Sequence, residues 1–174
     1  LMAEMAPKGK KKGGDAPTRA PPRADQIPTD EDVKAAWPKA LERWGLAIQV
    51  DTPRLDPTSP ALAYIDLATR EVVVNPVQVA ELGARGSIEA ILAHELGHHL
   101  RYPHSLSTQA RLELLEREIL PIRGYSLLNL FTDFLINCEL AADPKMKRQL
   151  GRVYLGSPAE AASAKADPAF WFYL

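Results

Sequence analysis

One cysteine, Cys138, stands in a chain of 174 residues. A single thiol excludes an intrachain disulfide framework and a zinc cluster built on cysteines. It also removes any need for an oxidising compartment, so a reducing cytoplasm is the expected setting. Net charge is equally scarce, because 21 basic residues face 22 acidic ones and leave −1. No global field draws the chain to nucleic acid or to an anionic membrane, and neither is expected as a partner. Long apolar runs are missing too. Lys8, Lys10, Lys11 and Lys12 are followed by no apolar stretch, so the start does not read as a secretory signal, and no later run is long enough to span a bilayer. Apolar residues nevertheless make up 46% of the chain, enough for one domain with a core but not comfortably for two. Leu1 precedes Met2 and the last residues are Phe170-Trp171-Phe172-Tyr173-Leu174, a pattern that fits a piece of a longer protein.

Residues 1–28 combine lysines, glycines and five prolines with almost nothing to bury, and read as a disordered, basic, Pro-rich tail that keeps the protein in solution. The folded domain is expected over 29–174. Thr29 caps a helix whose apolar positions Val33, Trp37, Leu41 and Trp44 recur at helical spacing, with Asp32 at the capping-box position and Gly45 ending it. Three runs of strand character follow at Leu46–Val50, Ala61–Leu67 and Glu71–Asn75, the last two separated by Ala68-Thr69-Arg70. They predict a small, mostly antiparallel sheet containing a hairpin. A short helix is expected over Pro76–Leu82. Ser87 is the expected cap of a helix reaching about Arg101, where Tyr102-Pro103 stops it. Further helices are expected over Thr108–Leu120 and Ser126–Ala142, and the remainder from Asp143 is weakly patterned. A small sheet followed by a cluster of helices is an α+β arrangement.

The segment from Ile91 to Leu100 contains His94-Glu95-Leu96-Gly97-His98, an H-E-x-x-H motif on a predicted helix. Residues four apart lie about 40° apart around a helix axis, so His94 and His98 turn both imidazoles toward one point, as a tetrahedral zinc requires. Glu95 lies roughly 100° further round, positioned to act as catalytic base on an activated water rather than as a ligand. The expected reaction is hydrolysis of a peptide bond in a protein or peptide substrate. Leu92, Leu96 and Leu100 fall on the opposite side and suit a core. Gly97 permits a close backbone approach. His99 points away from the pair and reads as a surface or supporting residue.

Two residues compete for the third ligand position. His104 follows His98 by the outer spacing of the metzincin motif, although Arg101 stands where that motif has glycine and Met146 sits between lysines, a poor candidate for a Met-turn. The second candidate is Asp133. On a helix, Asn129, Asp133 and Asn137 form one polar stripe, joined by Thr132, with Leu130, Phe131, Phe134, Leu135 and Cys138 on the other side. A solvated face normally carries lysines and glutamates, whereas short amides with one aspartate suit a buried network. Asp133 would complete a His-His-carboxylate site in the gluzincin manner.

Together, His94-Glu95-x-x-His98 and Asn129-x-x-x-Asp133-x-x-Ile136-Asn137 resemble the bacterial metallopeptidase domains that stand beside von Willebrand factor A-type domains and MoxR-type ATPases. The resemblance covers roughly residues 60–143. It implies a zincin-like fold, one zinc ion, and a cytoplasmic role in regulated proteolysis or protein quality control, with a MoxR-type ATPase or a von Willebrand A-type protein as partner. The alternative from another class is a non-catalytic, zinc-stabilised interaction module, against which Glu95 argues, since a structural site has no use for a general base. A DNA-associated role through the lysine tail finds no basic face in the folded part to support it.

Overall fold

The computed structural model describes residues 22–45, 51–119 and 126–155. Most of the N-terminal tail, the run Leu46–Val50 and the aromatic C-terminus lie outside these. Residues 22–28, read from sequence as part of the tail, include a 3-10 turn, Ala24–Gln26.

Helix α1 spans Asp30–Arg43 and opens on the expected capping box: the Thr29 side chain accepts from the Asp32 amide, and the Asp32 carboxylate accepts from the Thr29 amide. Val33, Trp37 and Ala40 form its buried face, and Trp44 follows into the same core.

The sheet has three strands in the order β1 (Arg54–Leu55), β3 (Val72–Val74), β2 (Ala63–Ile65). The expected hairpin is present, with β2 antiparallel to β3 and Tyr64 opposite Val73. The Asp66 carboxylate accepts from the Ala68 and Thr69 amides and shapes its turn, which Arg70 completes at φ 63°. The sheet is mixed rather than mostly antiparallel, because β1 runs parallel to β3. Arg54–Leu55 escapes a periodicity reading because a strand of two residues shows no alternation. Val72, Val73 and Val74 are all buried, as expected of a central strand covered on both faces. Helix α2 (Pro76–Glu81) begins immediately after β3, capped by the buried Asn75 side chain, which accepts from the Val77 and Gln78 amides.

Helix α3 (Ile88–Leu100) runs through the centre of the core with Ile91, Leu92, Ala93 and Leu96 buried. Ser87 is not its side-chain cap. The Ser87 hydroxyl is buried without a hydrogen bond, and the Ala90 amide is instead satisfied by the Gln149 side chain at 3.1 Å. Gln149 belongs to α6 (Pro144–Leu155), a helix in the stretch read as weakly patterned. Its buried Met146 and Leu150, with Val153 packed beside them, do recur at helical spacing. Helix α4 (Leu106–Ile119) buries no residue. Helix α5 (Leu127–Leu140) is capped by Ser126, whose hydroxyl accepts from the Asn129 amide. The architecture is α+β. Among the described residues no helix is long and apolar enough to cross a membrane.

Candidate metal centre

Helices α3 and α5 meet where their polar residues face each other. Gly97 makes the approach possible: a Cβ there would lie 2.7 Å from Ile136 Cγ2 on α5 and 3.0 Å from Trp44 Cζ2. The Trp44 indole N–H donates to the Ala93 carbonyl at 2.8 Å, anchoring the end of α1 on the same helix. On α5 the inner face is the polar one. Thr132, Asp133 and Asn137 are buried beside Ile136 and Leu140, while Phe131 is 60% exposed and Cys138 is exposed. The stripe is therefore buried at Thr132, Asp133 and Asn137 but exposed at Asn129, and part of the apolar side faces outward.

His94, His98 and Asp133 form a group whose potential ligand atoms all lie within 4.8 Å of one another, and which could hold a metal ion. Asp133 Oδ1 lies 3.1 Å from His98 Nε2 and 3.5 Å from His94 Nε2. The far nitrogens are engaged elsewhere: His94 Nδ1 meets Asn137 Oδ1 at 2.9 Å, and His98 Nδ1 meets the Tyr102 carbonyl at 2.9 Å. Both partners offer a carbonyl oxygen, an arrangement that favours the proton on Nδ1 and, in the neutral imidazole, leaves Nε2 its lone pair for coordination. Two imidazole lone pairs and a carboxylate oxygen then converge, and Asp133 Oδ1 is buried with no hydrogen-bond partner. Three convergent acceptors repel unless a cation or proton lies between them. Nitrogen, nitrogen and oxygen donors fit a divalent metal of the first transition row. The other Asp133 oxygen accepts from the Asn129 side-chain amide at 3.2 Å, which orients the carboxylate.

Burial works against the Asp133 carboxylate, but the two histidines outweigh it and hold its pKa at about 2. Burial likewise depresses His98, but Asp133 and Glu95 beside it raise its pKa overall. Glu95, next to the histidines, has its pKa raised by burial; the histidines and a hydrogen bond from the Ile65 amide of β2 oppose the shift. Glu95 thus lies beside the two histidines and lines the same cavity as Ile65 of β2. A cavity of about 340 Å³ opens over this group, lined among others by Ile65, Glu95, Pro103, Glu113 and Tyr154.

His104 is not part of the cluster. It is exposed, adopts φ 57°, and donates its backbone amide to the His98 carbonyl, so Pro103 rather than His104 lines the cavity. Met146 is fully buried on α6 and makes no Met-turn. His99 is partly buried outside the cluster, and burial together with nearby Arg70 lowers its pKa.

Three contributors escape a reading of sequence: the Tyr102 carbonyl and the Ile65 amide, which are backbone groups, and Tyr154. The Tyr154 hydroxyl lies 3.4 Å from His94 Nδ1, its ring edge-on to the imidazole. Its helix lies in the stretch read as weakly patterned, and no local pattern relates residue 154 to residue 94. No protein-family model, curated protein or solved structure matches the chain.

Proposed function

We propose that this protein is a zinc-dependent peptidase of zincin type in which His94, His98 and Asp133 hold the metal and Glu95 is the general base. The observation that carries the reading is the convergence of His94 Nε2, His98 Nε2 and a buried Asp133 oxygen, close enough together to hold one ion, beside a carboxylate that is not a member of the group. When bound, zinc lowers the pKa of a water molecule to about 7 and polarises a carbonyl. The chain's own residues supply the rest. Burial makes Glu95 more basic than an exposed glutamate, which suits a carboxylate that takes a proton from the attacking water and passes it to the leaving amine. Asn137 and the Tyr102 carbonyl hold the imidazoles in the coordinating tautomer. The β2 strand lies at the edge of the sheet and lines the cavity, so its outer edge is suited to align an extended peptide.

Metal analysis of the purified protein should find close to one zinc per chain, lost in the His94→Ala/His98→Ala double variant. Glu95→Gln should keep the zinc while hydrolysis of an unfolded protein substrate falls by at least about 100-fold. Wild-type turnover in Glu95→Gln would rule the mechanism out. The non-catalytic module working with an ATPase or von Willebrand-type partner draws support from exposed Leu114, Ile119 and Phe131. It expects stoichiometric zinc but no hydrolysis by the wild-type protein either.

A further inference from the structure

The cavity over the metal centre contains one charge that the proposed chemistry does not use. Its lining includes Glu95, Asp133 and Glu113, and no lysine or arginine among the described residues. A divalent ion would be balanced by Asp133 and Glu95, which leaves Glu113 as an uncompensated negative charge. Glu113 stands on α4, one turn after Gln109, whose side-chain amide donates to Glu113 Oε1 at 2.9 Å. That hydrogen bond fixes the carboxylate while leaving Oε2 able to accept. Glu113 is half-buried and enters no ion pair among the described residues, so a cation brought by a ligand would meet a charge less screened than one on an open surface. Other parts of the lining, Leu62, Tyr64 and Leu128, offer apolar surface on which the methylene stem of a long basic side chain can lie.

We infer that Glu113 makes this cleft selective for peptides that present a lysine or arginine side chain. The inference rests on the peptidase reading and deepens it by naming the substrate class. An acidic side chain in the same place would face Glu113 without a counter-charge, so discrimination comes from repulsion as well as attraction.

Binding separates this inference from the catalytic one. The probes are blocked, labelled, otherwise neutral peptides with a single central lysine, norleucine or glutamate, titrated by fluorescence anisotropy into the zinc-loaded full chain carrying Glu95→Gln. The lysine peptide should bind about threefold to fivefold more tightly than the norleucine peptide, the scale of one partly exposed ion pair. The glutamate peptide should bind more weakly than either. Added salt should narrow the spread. Glu113→Gln in the same background should abolish the preference, Glu113→Lys should reverse it, and Glu118→Gln, an exposed residue of α4 outside the lining, should leave it intact. Equal binding of all three peptides, or a preference that survives Glu113→Gln, would overturn the role of Glu113 and leave the peptidase reading standing. Failure to bind any of the peptides would count against the peptidase reading itself and remove this inference with it.

Discussion

Asn137 and the Tyr102 carbonyl perform the same task on two histidines, one through a side chain and one through the backbone. A ring nitrogen held by a carbonyl acceptor keeps its proton, so in the neutral imidazole the opposite nitrogen carries the lone pair and is aimed at the group. Replacing Asn137 with alanine leaves His94 free to rotate and to change tautomer. Zinc affinity, measured by competition with a chromogenic chelator, should fall about 10- to 100-fold while the far-ultraviolet circular dichroism is unchanged. An unaltered affinity would show that packing alone aims His94. His104→Ala should leave zinc stoichiometry and affinity as they are, because His104 is exposed and outside the ligand group. Loss of zinc in that variant would restore His104 as a ligand and displace Asp133.

At the scale of elements, the decisive contact is α3 against α5. Gly97 lacks the one atom that would separate them. Alanine is ordinarily the better helix former, by about 1 kcal/mol in a helix interior. Here its methyl would press on Ile136 and Trp44, and overpacking of this kind costs about 1–3 kcal/mol. Gly97→Ala should therefore lower the unfolding midpoint, and it should weaken zinc binding as well, since α3 carries the histidines and α5 the aspartate. A midpoint above wild type would mean that the helices yield without cost. The polar face of α5 was legible from Asn129, Asp133 and Asn137. Its burial was inferred from the shortness of those side chains, and the structure places Thr132, Asp133 and Asn137 inward. The α6 helix went unread, although it caps α3 through Gln149 and brings Tyr154 to the site.

At the scale of the molecule, one ionic cluster ties α1, α3 and α6 together. Glu89 accepts from Arg43 Nη2 at 3.0 Å and from Lys145, while Arg43 also pairs with Asp143. Burial would raise the Glu89 pKa, but Lys145 and Arg43 overcome it and hold the carboxyl below its ordinary 4.5. A carboxylate whose pKa is lower in the folded state contributes stability above its unfolded pKa and loses it as pH falls through the folded value. Thermal midpoints of the metal-free protein should accordingly decline below about pH 4.5, and Glu89→Gln should lower the neutral-pH midpoint while flattening that acid decline. An acid limb as steep as wild type in Glu89→Gln would assign it to other carboxylates. On the proposed reading a bound zinc would also join elements, because His94 and His98 stand on α3 and Asp133 on α5. A chelator should lower the midpoint of the wild type and leave that of Asp133→Ala nearly unchanged.

The sequence by itself determined what short-range geometry can specify. Helical spacing put His94, Glu95 and His98 on one turn, the capping box at Thr29 and Asp32 started α1, and the run around Ala68-Thr69-Arg70 closed a hairpin. Each depends on residues within four or five positions of one another, where backbone periodicity is enough. Tertiary structure alone placed Asp133 rather than His104 beside His94 and His98, paired β1 parallel to β3, set Gln149 rather than Ser87 on the first turn of α3, and brought Tyr154 and Glu113 to the same cleft. These outcomes depend on how helices and strands distant in the chain pack, which no local pattern encodes. The glycine that lets α3 and α5 touch is visible in the sequence, but its partner Ile136 is known only once the chain has folded.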